Sequence, residues 1–88
     1  MKIKWSERSL RNISEILRFT GSELFVAKLI ERTLKIPAFP LTGQKLQISG
    51  GEGLREVIWQ DYRIVYRIED KVLEIVTVCH VSRILMVD

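Results

Sequence analysis

The sequence predicts an α+β fold in which a helical hairpin packs on one face of an antiparallel sheet. Two periodicities indicate it: apolar residues recur at helical spacing through residues 7–34, and they alternate with polar residues through most of residues 54–80. The resulting order is β-α-α-β-β-β, and elements segregated in this way are typical of α+β domains. A chain of 88 residues should form one domain, spanning 1–88, with a small core.

The first strand is the alternating segment KIKW, residues 2–5. Ser6 is a suitable N-cap for a helix over 7–19, because its hydroxyl can accept a bond from a free helix amide. Gly21 is suited to end that helix in the left-handed conformation. The residues expected to face the core are Leu10, Ile13, Ile16 and Leu17.

A second helix is predicted to begin after Ser22 and to stop before Pro37 and Pro40, since proline cannot continue a helix. Its expected inner face consists of Val26, Leu29, Ile30, Thr33 and Leu34. Residues 37–53 are rich in turn-forming residues and predict a loop with a short strand near 45–48. The glycines of this loop do not form a GxxxxGK[ST] phosphate-binding motif.

Three strands are predicted to follow: LREVIW (54–59), YRIVYRIE (62–69) and VLEIVTVCH (72–80). Only two residues separate neighbouring strands, so two-residue hairpin loops define a register. The predicted cross-strand neighbours are Val57 and Thr77 for Ile64, and Arg55 and Ile75 for Tyr66.

This register divides the sheet into an apolar and a polar face. The apolar face, expected to lie under the helices, carries Val57, Trp59, Tyr62, Ile64, Tyr66, Ile68, Leu73, Ile75, Thr77 and Cys79. The opposite face carries Glu56, Ile58, Arg63, Val65, Arg67, Glu74, Val76, Val78 and His80. Cys79 is therefore predicted to be a small core residue. His80 is predicted to point outward into a groove shared with Arg63 and Arg83.

Composition excludes several classes of protein. A single cysteine and a single histidine provide neither an internal disulfide nor a metal site of the Cys/His type, so no metal and no cofactor are expected. No apolar run approaches the roughly 18–20 residues that span a bilayer, and MKIKWSERS lacks the apolar stretch of a signal peptide. We therefore expect a cytoplasmic protein without membrane contact. The net charge of +3 permits an anionic partner but does not require one.

Two interpretations of the polar face remain open from the residues alone. Arg63, His80 and Arg83 could clamp a phosphate, with histidine as a proton-transfer group for RNA cleavage. No second acid or base is evident beside them. Alternatively, Arg67 pairs with Glu74 on an ordinary solvated sheet face. His80 is then a strand-end histidine, and Arg83 pairs with Asp88.

Several motifs, in sequence and at the right spacing, resemble the RelE/ParE toxin superfamily. LREVIWQDYRIVYRIEDKVLEIVTVCHVSR is similar to its C-terminal signature of an Arg-Glu strand, a Tyr-Arg-x-x-Tyr-Arg strand and a final His-x-x-Arg. KWSERSLRNISEIL resembles the family's Trp-Ser-x-x-Ala-x-x-Asp/Asn-Leu opening, with Ser9 in place of alanine. The resemblance covers essentially the whole chain and implies the β-α-α-β-β-β toxin fold of that family.

The resemblance implies a toxin of a type II toxin–antitoxin module, of the kind that serves plasmid stabilisation, bound by its cognate antitoxin in a hetero-oligomer. RelE-like members cleave mRNA on the ribosome, whereas ParE-like members inhibit DNA gyrase without cutting nucleic acid. For a ParE-like protein, the resemblance implies that Arg63, Arg67, His80 and Arg83 contact the target. For a RelE-like protein, it implies that Arg63, His80 and Arg83 are catalytic.

Departures from the RelE pattern favour the ParE-like interpretation. Position 81, where RelE has an active-site arginine, is Val81. The tail has Val87 and no late tyrosine that could act as an acid or base, and Lys45 is the only lysine between residues 36 and 70. We therefore expect gyrase inhibition, with ribosome-dependent mRNA cleavage as the alternative.

Overall fold

The computed structural model describes residues 1–85. Seven regular elements and a single 3₁₀ turn at Ile36–Ala38 follow one another along the chain. They are β1 (Lys2–Trp5), α1 (Glu7–Thr20), α2 (Glu23–Leu34), β2 (Gln44–Lys45), β3 (Leu54–Trp59), β4 (Tyr62–Glu69) and β5 (Val72–His80). The α+β class and the order of elements predicted from the sequence are confirmed.

The five strands form one sheet in the order β1-β5-β4-β3-β2. The expectation of a wholly antiparallel sheet is wrong for one strand, because β1 pairs in parallel with β5 through Ile3 opposite Leu73 and Trp5 opposite Ile75. The helical hairpin follows β1 in the chain, and β5, the last strand in the chain, lies next to β1 in the sheet. The sheet is therefore mixed, and β5 lies next to both β1 and β4.

Side chains cap both helices where the sequence predicts it. Ser6 accepts a bond from the Ser9 amide at 3.0 Å, and Ser22 accepts one from the Phe25 amide at 3.0 Å. Gly21 adopts a left-handed conformation with φ of 63° and donates its amide to the Leu17 carbonyl. These caps fix the ends of the hairpin and hence which helix faces meet the sheet.

Helix α1 is rotated relative to the predicted inner face. Ile16 is buried as expected, but Leu10 and Leu17 are exposed. Ser9 is fully buried instead, and its hydroxyl donates to the Ser6 carbonyl at 2.8 Å. A small residue at this contact lets the helix approach the sheet closely. In α2, Leu34 is likewise exposed, although the sequence predicts it inside.

Both hairpins have the predicted two-residue loops, since Trp59 pairs with Tyr62 and Glu69 with Val72. The pairs of β4 with β5 nearest the turn, from Glu69 with Val72 to Tyr66 with Ile75, also match the prediction. A β-bulge then inserts Val76 between Ile75, opposite Tyr66, and Thr77, opposite Val65. One extra residue reverses the facing of every residue that follows it.

The bulge makes the predicted register wrong from Thr77 onward. Thr77, expected opposite Ile64, lies opposite Val65. Val78, expected outside, lies opposite Ile64 in the core and is buried. Cys79, expected inside, lies opposite Arg63 on the outer face of the sheet, the face away from the helices. His80, expected outside, lies opposite Tyr62 on the inner face.

Strand β1 pairs with β5 only over residues 72–75. Beyond that point, Ser6 and helix α1 cover the edge of β5. The Ser6 amide donates to the Ile75 carbonyl at 3.0 Å, and the Ser6 hydroxyl donates to the Val76 carbonyl at 2.8 Å. Asn12 Oδ1 accepts bonds from the Thr77 hydroxyl at 2.7 Å and the Val78 amide at 3.0 Å. The backbone groups exposed by the bulge are thus bonded to helix side chains.

The core lies between the hairpin and the inner face of the sheet. It is built from Ile16, Val26, Leu29, Ile36, Val57, Tyr62, Ile64, Tyr66, Leu73, Ile75 and Val78. Phe25 packs against Trp59 and Tyr62 with ring centroids 5.2 and 5.7 Å apart. Within residues 1–85, neither helix is long and apolar enough to cross a membrane.

Candidate functional site

Arg63 lies on the outer face and is held by two partners. Its Nη1 lies 3.2 Å from Glu56 Oε2, and its Nη2 donates to the Val81 carbonyl at 3.0 Å. Its Nε is buried without a hydrogen-bond partner among residues 1–85. The Glu56 side chain is only 10% exposed, so the ion pair is shielded from water. The residues directly opposite Arg63 are Ile58 and Cys79, so its guanidinium pairs with the diagonal neighbour Glu56.

Arg67 forms the cross-strand pair predicted with Glu74. Its Nε and Nη2 both lie 3.1 Å from Glu74 Oε1. The arginine is half exposed, so the pair contributes at most about 1 kcal/mol to stability. Arg67 is accordingly part of a solvated sheet face.

His80 lies on the opposite side of the sheet from Arg63, so the predicted groove joining them is not formed. Its Nδ1 accepts the Ser82 amide at 3.1 Å and lies 2.8 Å from the Ser82 hydroxyl. We assign the neutral ring the tautomer with hydrogen on Nε2, since Nδ1 acts as an acceptor. The ring meets Tyr62 edge-on, with centroids 5.5 Å apart. The orientation of the His80 ring is thus fixed by Ser82 and Tyr62.

His80 and Arg83 line a cleft of about 420 Å³ between α1 and the end of β5. Its other lining residues are Asn12, Glu15, Ile16, Phe19, Tyr62, Val78, Cys79 and Ser82. The Arg83 amide donates to the His80 carbonyl at 3.0 Å, which fixes the backbone of the turn between them. The proposed pairing of Arg83 with Asp88, and the tail position Val87, lie outside the described residues.

Cys79 is half-buried beside Arg63. Burial raises the pKa of its thiol, and the Glu56 carboxylate raises it further, whereas the positive charges of Arg63, Arg83 and Arg8 lower it. Burial is the largest of these influences. The thiol is therefore protonated at neutral pH and is a weak nucleophile, because the thiolate is the reactive form.

We expect iodoacetamide to alkylate Cys79 at neutral pH about tenfold more slowly in the folded protein than in urea, since both the thiolate fraction and access are reduced. Alkylation is measured by intact mass against time, and Cys79→Ser is the blank. Arg63→Gln should slow the folded reaction further, because it removes a charge that lowers the thiol pKa. Equal rates in folded and unfolded protein would contradict the assigned environment.

Asn12 is the residue of this region to which the sequence assigned no role. It lines the cleft and bonds the bulged part of β5 at the same time. A signal was present, because Asn12 occupies the Asp/Asn position of the opening motif. Helical periodicity alone does not reveal it, since a polar residue on a helix is ordinarily solvated. Among residues 1–85, no group of three or more histidine, cysteine or acidic residues is arranged to hold a metal ion.

The chain matches one family model, described as the ParE toxin of the parDE type II toxin–antitoxin system, over residues 3–85. No curated protein matches it significantly.

Three similar solved structures share the fold at low identity. A chromosomal ParDE TA system from P. aeruginosa is 14% identical with a TM-score of 0.79, covering 91% of this chain and 95% of that one. The toxin–antitoxin complex RelBE2 from Mycobacterium tuberculosis is 20% identical with a TM-score of 0.75, covering 90% and 95%. YafQ from E. coli is 19% identical with a TM-score of 0.62, covering 90% and 91%.

Proposed function

Because the chain belongs to the ParE toxin family of type II toxin–antitoxin systems, we propose that it is the toxin of such a module, that it binds and inhibits DNA gyrase, and that a cognate antitoxin neutralises it. The module would serve plasmid stabilisation or growth inhibition. Gyrase acts on cytoplasmic DNA, so this role requires the cytoplasm.

The exposed side of the helical hairpin supports the antitoxin as a partner. Four leucines on the two helices are exposed to solvent: Leu10, Leu17, Leu24 and Leu34. Exposed apolar residues on a small domain suit an amphipathic partner segment that covers them. The solved structures of similar fold include toxin–antitoxin complexes, which favours a hetero-oligomer.

One observation carries the choice of gyrase over RNA. Arg63 and His80 lie on opposite faces of the sheet, and the Arg63 guanidinium is bonded to Glu56 and Val81. A phosphate held by Arg63 would be out of reach of His80, which favours action by protein contact over proton transfer to RNA. Target contact is then assigned to His80 and Arg83 in the cleft, with Arg63 positioning the turn after β5 through the Val81 carbonyl. Arg67, which lies on the outer face with Arg63 and pairs with Glu74, is left out of this contact.

A ribosome-dependent endoribonuclease remains the second candidate, favoured by the cleft. There, His80 and Arg83 line one concave surface with the exposed residue Phe19. A proton donor, a phosphate-binding fork and an aromatic face are features that RNA-cutting sites use. In this reading, Arg83 binds phosphate and His80 transfers the proton.

Purified, antitoxin-free protein distinguishes the two candidates. We expect it to inhibit gyrase supercoiling and to leave mRNA on programmed ribosomes intact. Arg83→Ala should weaken the inhibition about tenfold, as is typical for an arginine at the centre of an interface. Lys71→Ala, in the turn at the far end of β5, serves as the control. Cleavage of mRNA that is lost in His80→Ala would instead make the cleft an active site.

A further inference from the structure

The loop between α2 and β2 holds two large apolar side chains in solvent. We call residues 36–43 the pinned loop. Phe39 and Leu41 within it are 74% and 68% exposed. Apolar side chains of this size stabilise a fold when they are buried, and these two do not contribute in this way. A flexible loop with these residues would be unremarkable, so the question is whether its backbone is fixed.

A buried tyrosine fixes the pinned loop from below. Tyr66 is fully buried in the core. Its hydroxyl donates to the Pro40 carbonyl at 2.7 Å and accepts from the Gly43 amide at 2.9 Å. A Cβ on Gly43 would lie only 2.7 Å from Cε1 of Tyr66, so the loop approaches the ring as closely as glycine allows.

An arginine fixes the same segment from the side. Arg55 Nη1 donates to the Gly43 carbonyl at 2.7 Å and to the Leu41 carbonyl at 3.2 Å. Two turn bonds join the loop internally, from the Phe39 amide to the Ile36 carbonyl and from the Thr42 amide to the Phe39 carbonyl. The backbone around both exposed side chains is therefore ordered before any partner binds.

Positive charge lies beside the pinned loop. Lys45 is directly opposite Arg55 across β2 and β3, an arrangement of like charges that is unfavourable on its own. Together they line a small cavity of about 220 Å³ at this edge of the sheet. Residues 36–45 contain no acidic residue. A carboxylate from a partner would relieve the repulsion between the two cations.

We propose that the pinned loop and the pair Lys45–Arg55 form a preformed contact surface for the toxin's target protein. Phe39 and Leu41 enter an apolar pocket of the target, and a carboxylate at the rim of that pocket meets Lys45. We assign this surface to the target because the exposed leucines of the helical hairpin already serve the antitoxin in the proposed function. An ordered loop docks on a folded target with little loss of conformational entropy.

The test separates toxicity from antitoxin binding, and it rests on the proposed function only in that the chain is a toxin. Phe39→Ser and Leu41→Ser are each expressed at matched levels, and growth arrest is recorded. The affinity of each purified variant for the antitoxin and its thermal unfolding are also measured. We expect arrest to weaken about tenfold or more, as for hot-spot residues, with antitoxin affinity and melting temperature unchanged.

Ile58→Thr is the matched control for the loss of an exposed apolar side chain, since Ile58 is 55% exposed and lies on the outer face of the sheet. This variant should leave growth arrest unchanged. Lys45→Glu should weaken arrest, whereas Lys4→Glu, with the same change of charge, should not. Full arrest by both loop variants, or a loss of antitoxin affinity in either folded variant, would overturn the proposal.

Gyrase inhibition, measured in parallel, keeps the two hypotheses apart. If the wild-type protein arrests growth without inhibiting gyrase, the assignment of gyrase fails. The pinned loop is still tested, because the effect of Phe39→Ser on arrest does not depend on which protein is the target. If the wild-type protein cuts mRNA and Phe39→Ser abolishes the cutting, the loop contacts RNA or the ribosome and the proposal is overturned.

Discussion

Replacing Gly43 by alanine should lower the free energy of unfolding by about 2–4 kcal/mol. This figure is the sum of the cost of overpacking and the cost of weakened hydrogen bonds. The new methyl group would meet the ring of Tyr66, whose Cε1 and Cζ would be 2.7 and 2.8 Å away. That ring is fully buried and cannot swing aside. Either the loop or the tyrosine must move, and both the Pro40 and the Gly43 bonds to the hydroxyl would be strained.

Urea unfolding followed by tryptophan fluorescence measures this effect. Tyr66→Phe is the companion variant, because it removes the hydroxyl bonds without adding volume and should cost about 1–3 kcal/mol. The double variant should cost less than the sum, since part of the clash is with the hydroxyl that phenylalanine lacks. If Gly43→Ala unfolds at the wild-type urea concentration, the close approach of loop and ring is disproved.

Asn12→Ala is expected to cost about 2–3 kcal/mol, because one side chain satisfies two groups that are otherwise shielded from water. Its Oδ1 accepts both the Thr77 hydroxyl and the Val78 amide. Thr77 and Val78 are buried, so water cannot readily replace the lost acceptor. The cost should appear in the unfolding transition of the whole protein, as α1 and β5 pack in the same core.

Asn12→Asp is the matched control, because a carboxylate oxygen can accept the same two bonds. We expect it to be closer to wild type than the alanine variant in thermal unfolding. Hydrogen exchange of the Val78 amide gives a second, local measurement, and it should accelerate in Asn12→Ala. Unchanged protection at Val78 in that variant would show that Asn12 does not hold the edge of β5.

Local signals in the sequence were sufficient to predict where the helices and hairpin turns begin and end. Ser6 and Ser22 have the chemistry of N-caps, and Gly21 has the freedom of a left-handed residue, so the helices begin and end where predicted. The short hairpin loops were equally readable, and Asp70 and Lys71 both adopt positive φ in the tight turn. These features depend on a few neighbouring residues and not on the rest of the fold.

Features that depend on tertiary contacts could not be predicted. The segment IVTVC contains no glycine or proline to mark the bulge at Val76, which is stabilised by Ser6 on another element. The reversal of Cys79 and His80 follows from that bulge. The rotation of α1 was also hidden, because the spacing of Leu10 and Leu17 fits an inner face as well as it fits an exposed one.

The candidate site was therefore predictable only in part. Arg67 with Glu74 lies before the bulge, and the pair was predicted correctly. His80 and Arg83 do line one concave surface, although it faces α1 and not Arg63. The register also places Glu56 diagonal to Arg63, as the structure has it. The bond from Arg63 to the Val81 carbonyl depends on a side-chain rotamer and on the turn after β5, which periodicity does not determine.

The covering of the β5 edge by α1 affects how copies of this chain can meet. An uncovered strand edge is a template on which another chain can add a strand, and repeated addition leads to aggregation. Beyond Ile75, the Val76 carbonyl and the Val78 amide are already bonded to Ser6 and Asn12. No incoming strand can bond these groups unless the helix first detaches.

The other two margins of the sheet are also poor templates. β1 carries lysines at positions 2 and 4, and β2 is only two residues long. Charged and very short edge strands both discourage strand addition. We expect Asn12 to discourage strand addition as well as to stabilise the fold, because it bonds the Val78 amide that an incoming strand would otherwise use.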